Sequence, residues 1–152
     1  MTEFVARRLV GAPPEAVFEF LADHRNATRV LDGVTRWEPL GARVRGVGAR
    51  FDVEMRALGM PVAARLVLDV WDPPNAIGWS SESGPVPQRG DWTLRPAPGG
   101  TEVELKISYQ PPGRAAGLVA AALEWTVRRR LESALAAIGG RLAPGPARDP
   151  QA

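Results

Sequence analysis

The chain has 152 residues, is 45% hydrophobic and 24% charged, and carries a net charge of +2. That size and balance suit one globular domain with a sizeable core. It has no cysteine and a single histidine, His24, which excludes disulfides, thiolate catalysis, cysteine-type zinc sites and histidine-rich metal centres.

Lys106 is the only lysine, so the basic charge is almost all arginine. With abundant Ala, Gly and Pro, this points to coding bias and not to a nucleic-acid footprint. Near the N-terminus, Glu3 and Arg7-Arg8 interrupt any apolar segment, and the apolar run Leu118–Leu123 is far short of the ~20 residues that span a bilayer. The expectation is a cytoplasmic protein with no integral membrane segment.

In chain order, Phe4–Val10 reads as a first strand. Pro13-Pro14 then starts a short helix: Pro14 suits its first position, and Glu15 lies near its positive end. Val17, Phe20 and Leu21 repeat at helical spacing, Phe18 widens the stripe, and the helix ends near Asp23. A second short turn is expected over Ala27–Leu31, broken by Asp32-Gly33. Strands follow at Thr35–Leu40 and over Phe51, Val53, Met55 and Ala57, which alternate with charged residues. Ala64, Leu66, Leu68 and Val70 form the next inward set. Ile77–Ser83 places Ile77, Trp79 and Ser81 on one face, and Asp91–Arg95 does the same for Trp92 and Leu94. Val103, Leu105, Ile107 and Tyr109 make the cleanest alternation. Short turns between these strands imply antiparallel hairpins. A long helix is expected over Arg114–Ile138, closed by Gly139-Gly140, with Val127, Leu131, Ala134, Leu135 and Ile138 on its apolar face. The tail, residues 144–152, is proline-rich and polar and is expected to be disordered.

The pattern implies an α+β fold: a curved seven-stranded antiparallel sheet wrapped around the long C-terminal helix, with two short helices after the first strand. The sheet must bury its apolar face, and only the long helix is large enough to cover it. The space between them is a natural pocket.

Four segments, "APPEAVFEFLAD", "GVGARFDVEMRALGMPV", "VWDPPNAIGWSSESGP" and "PAPGGTEVELKISY", resemble the polyketide cyclase/dehydrase family of the START-like, helix-grip (SRPBCC) superfamily. The resemblance implies a ligand-binding domain over residues 1–143. It also implies a protein that carries a hydrophobic small molecule, or cyclises or dehydrates a polyketide, without a cofactor. Its motifs are structural: a helix start, hairpin turns and a Gly-Gly-Thr turn.

The expected pocket lining is Phe51, Val53, Met55, Leu68, Trp79, Trp92, Tyr109 and Leu123, with Trp37 nearer the rim. Phe18, Phe20 and Leu21 would anchor its end wall. Candidate proton-transfer groups are Tyr109, Ser81, Glu124 and His24. For each a simpler reading competes. His24 fits an exposed turn, Glu124 fits an i, i+4 pair with Arg128, and Ser81 fits a backbone hydrogen bond. No dyad with a fixed spacing supports catalysis, so binding of a polyketide-, lipid- or sterol-like molecule is favoured over cyclase, aromatase or dehydratase chemistry. No metal or nucleic-acid partner is expected, because Arg128-Arg129-Arg130 point about 100° apart on a helix. Leu118 and Trp125 lie opposite Val127 and Leu131, so they are expected to be exposed and covered by a second copy of the chain or another apolar partner.

Overall fold

A computed structural model describes residues 2–110 and 118–142. Seven strands form one curled antiparallel sheet: β1 (Thr2–Val10), β2 (Val34–Pro39), β3 (Arg50–Ala57), β4 (Met60–Asp72), β5 (Ala76–Ser83), β6 (Gln88–Ala97) and β7 (Gly100–Tyr109). Three helices accompany it: α1 (Pro14–Ala22), α2 (Ala27–Val30) and α3 (Leu118–Leu142), with a 3-10 turn at His24–Asn26. The strand order is β1-β7-β6-β5-β4-β3-β2. Strands β2 to β7 are a simple meander, while β1 joins the far side of β7. Residues 11–33 therefore have to cross from one edge of the sheet to the other. The short helices are made by that crossing, and they roof part of the inner face.

The period-two pattern holds because one face is buried. Phe51, Val53, Ala64, Leu66, Leu68, Ile77, Trp79, Trp92, Leu94, Val103 and Leu105 all lie in the core. One expectation fails within β4. The register steps irregularly between Leu68, which pairs with Trp79, and Val70, which pairs with Gly78. The extra residue, Asp69, is a β-bulge, and it reverses the facing of the next two residues. Val70 points outward, against Gly78, and Trp71 turns inward to meet Phe18 edge-on at 5.2 Å. Periodicity alone assigns Val70 to the inner face because alternation assumes an unbroken ladder.

Helix α3 packs chiefly on β1, with smaller contacts to α2 and β7. Leu131, Ala134, Leu135 and Ile138 are buried. Leu118, Val119 and Trp125, in its first half, are exposed, at 89%, 55% and 62%. The sheet thus grips the second half of the helix only. Gly139-Gly140 does not end α3, which continues to Leu142. Gly139 is instead a site of close approach, where a Cβ would lie 3.1 Å from Nε of Arg8 on β1. Packing on the sheet outweighs the ~1 kcal/mol that a glycine costs a helix interior. The expected helix start near Arg114 and the tail from residue 144 lie outside the described residues.

Candidate functional site

Two apolar cavities open on the inner face. The first, about 530 Å³ including its mouth, lies beneath the edge-to-edge crossing. Its roof is built from Leu21 and Ala22 at the end of α1, His24 and Asn26 of the 3-10 turn, and Ala27, Val30 and Leu31 of α2 and its exit. Its floor is aromatic, with Trp37, Phe51, Trp71, Trp79 and Trp92 contributed by five consecutive strands. Leu68 and Ile77 fill between them, and Val44 closes the loop side. Asn26 fixes the roof. Its Nδ2 donates to the Phe20 carbonyl at 2.8 Å, so its buried amide locks the corner between α1 and the 3-10 turn.

The second cavity, about 630 Å³ including its mouth, lies between the sheet and the middle of α3. Val127 and Leu131 of α3 face Met55, Leu105 and Ile107 across it. Its polar lining is confined to Asp32, Gln88 and Arg130. Arg130 clamps this end: its Nη1 donates to the carbonyl of Arg56, and its guanidinium lies over Gly33, where φ is +85° and a side chain would collide with it. Leu31, Trp37 and Trp79 line both cavities. The two indole rings meet edge-on at 5.6 Å and form the wall between them. Trp79 is held from beneath: it pairs with Gly90 on β6, and a Cβ on Gly90 would overlap its ring.

Charge lies around the site more than within it. Asp23 caps the 3-10 turn by accepting the Arg25 backbone N–H at 3.0 Å. It also accepts two guanidinium hydrogen bonds from Arg25, at 2.9 and 2.8 Å. These hold its carboxyl down at about 2, against an ordinary 3.8. On the outer face, burial pushes Asp69 up, but hydrogen bonds from Arg89 and Ser80 outweigh it and leave the carboxyl below its ordinary value. Burial, and then the charge of Glu124, raise the Tyr109 phenol above its ordinary value, so it stays a proton donor. Among the described residues no cluster of His, Asp or Glu is placed to hold a metal ion, and no helix is long and apolar enough to cross a membrane.

This arrangement, an apolar chamber between a curled antiparallel sheet and its helices, recurs in known proteins. The family model described as "Polyketide cyclase / dehydrase and lipid transport" matches residues 1–142. The chain belongs to that family. No curated protein matches the sequence. Among solved structures, TTHA0849 from Thermus thermophilus is 25% identical, with a TM-score of 0.80, over 93% of this chain and 97% of that one. The Zhui aromatase/cyclase from Streptomyces sp. R1128 is 21% identical with a TM-score of 0.76, covering 93% of each chain. A START superfamily protein from Mycobacterium smegmatis is 16% identical with a TM-score of 0.72, over 92% of this chain and 96% of that one. The last two likenesses rest on the START-like fold alone.

Within this polyketide cyclase/dehydrase framework the sequence-derived candidates separate. Phe51, Leu68, Trp79 and Trp92 line the first cavity, and Met55 and Trp79 line the second. Val53, Tyr109 and Leu123 line neither of the two. Val53 is wholly buried opposite Trp37, Tyr109 stacks on Phe4 at 6.0 Å, and Leu123 is half-buried on α3. Ser81 also lies outside both, where its Oγ accepts the Gln88 N–H at 2.9 Å. Glu124 is exposed, and neither it nor Glu132 forms an ion pair with Arg128 among the described residues. Arg128 instead lies over the Phe4 ring, 4.9 Å from its centre. Of the end-wall trio, Leu21 reaches the cavity, Phe18 packs on Trp71, and Phe20 is half-buried at the edge of the core.

Two placements need correction. His24 is not a freely exposed turn residue: it is half-buried, lines the first cavity and stands 5.8 Å from the Phe51 ring. Trp37 is central and not near the rim, because it forms a wall of both cavities. Sequence reasoning misses both because neither strand facing nor the path of residues 11–33 fixes what lies over β2 and β3. It misses Trp71 because of the bulge at Asp69. The density of tryptophan in this short chain is the one available signal.

Proposed function

We propose that the chain binds a hydrophobic small molecule, polyketide-, lipid- or sterol-like, with the first cavity as its principal seat. The observation that carries this reading is the convergence of Trp37, Trp71, Trp79 and Trp92 with Phe51 on one apolar chamber. Its size falls in the range of ~300–1,000 Å³ that small-molecule sites occupy. Family membership supports the same class of ligand. The fifth tryptophan, Trp125, is exposed under the Arg129 guanidinium, away from both cavities. A Trp125→Phe protein therefore carries only cavity-lining tryptophans. Titrated with anilinonaphthalene sulfonate, dodecanoic acid or an anthraquinone, it should show saturable quenching or energy transfer. Absence of saturable change with all three overturns the reading.

A second reading, polyketide cyclisation or dehydration, is favoured by one observation. The lone imidazole, His24, sits in the wall of this apolar chamber. A cavity that folds a linear poly-β-ketone, with one base to remove a proton α to a carbonyl, supplies the elements of such chemistry. The same protein incubated with a linear poly-β-ketone thioester, and followed for aromatic absorbance, tests it. Binding without a gain in aromatic product leaves the carrier reading alone.

A further inference from the structure

We propose that Trp37 is a movable partition that sets the length of ligand this protein accepts: with its ring in place the two cavities are separate, and with its ring displaced they form one continuous chamber for an elongated apolar molecule. The proposal rests on the hydrophobic-ligand reading above and adds a selectivity residue to it.

The wall between the cavities consists of Leu31, Trp37 and Trp79. Its two indoles differ in freedom. Trp79 is 5% exposed, sits on an interior strand, and has its ring laid across Gly90. Trp37 is half-buried and sits on β2, an edge strand bonded only to β3. Its register is also irregular, with a shift between Val34 and Arg36 just before it. Edge strands beside a bulge open more readily than the ladder interior. Trp37 touches the rest of the wall through edge-on and tilted aromatic contacts, at 5.6 Å to Trp79 and 5.9 Å to Phe51, and these can be exchanged for contacts to an apolar ligand. Beyond the partition the second cavity continues as an apolar space to Gln88 and Arg130. A ligand that fills the first cavity can gain more burial only by passing Trp37.

Calorimetric titration with octanoic, dodecanoic and hexadecanoic acids, against the wild type, Trp37→Ala and Trp37→Phe, tests this. Each methylene that newly reaches apolar surroundings is worth about fourfold in affinity. Octanoic acid fits one cavity and should bind all three proteins within about threefold. The preference for hexadecanoic over dodecanoic acid should be at least about tenfold greater in Trp37→Ala than in the wild type, with Trp37→Phe close to the wild type. An equal chain-length preference in wild type and Trp37→Ala overturns the partition while leaving ligand binding intact. Relaxation dispersion of the indole N–H signals of the wild type gives a readout that needs neither ligand nor a folded variant. Millisecond exchange at Trp37 and none at Trp79 is expected. A rigid Trp37 overturns the partition. Failure of every acid to bind, with Trp37 still in exchange, overturns the ligand reading and leaves the partition standing.

Discussion

Gly90 is the smallest residue in the site and one of the most constrained. It faces inward opposite Trp79, whose ring occupies the space a Cβ would take. Gly90→Ala must displace that indole within a packed core, and overpacking of this kind costs ~1–3 kcal/mol. Urea unfolding should show a loss of that size, whereas a change below about 0.5 kcal/mol would mean that the ring slides aside freely. Asp23 makes a prediction of a different kind. Its folded carboxyl, held at about 2 by Arg25, lies below the ordinary 3.8, so its contribution is present above pH 3.8 and lost as pH falls toward 2. Asp23→Asn keeps a capping side chain but removes the charge. The stability gap between wild type and variant should be widest above pH 3.8 and should close near pH 2. A gap that stays constant across acid titration would assign the effect to capping alone.

Among the elements, the strands were the most legible in sequence and the site the least. Alternation located all seven strands because each has one wet and one buried face, and an unpaired slip would invert the whole set. The long helix was legible for the same reason: Leu131, Ala134, Leu135 and Ile138 recur at helical spacing and are buried together. Leu131→Ala should cost ~2–5 kcal/mol in chemical denaturation, the range for truncating a packed leucine, and a loss below about 0.5 kcal/mol would show that this face does not touch the sheet. What the pattern could not convey was how far along α3 the grip extends. Helical spacing describes which side of a helix is apolar, not where the sheet beneath it stops. Leu118, Val119 and Trp125 stay exposed for that reason.

At the scale of the molecule, the placement of the chamber follows from topology. Because β1 and β2 stand at opposite edges, the chain between them must travel across the inner face, and its short helices become a roof. This is why His24 and Asn26, separated by the whole sheet from α3, help to enclose the aromatic floor. No local signal in residues 11–33 announces that path, since each short helix reads the same whether it lies over an edge or over the centre. The bulge at Asp69 has a consequence of its own for how this chain tolerates change in length. Substituting Asp69 alters one outward side chain. Deleting it would shorten β4 by a single residue, restore an unbroken ladder, and turn Trp71 to the solvent and Val70 into the chamber. At that position the number of residues, more than their identity, is what keeps an indole indoors.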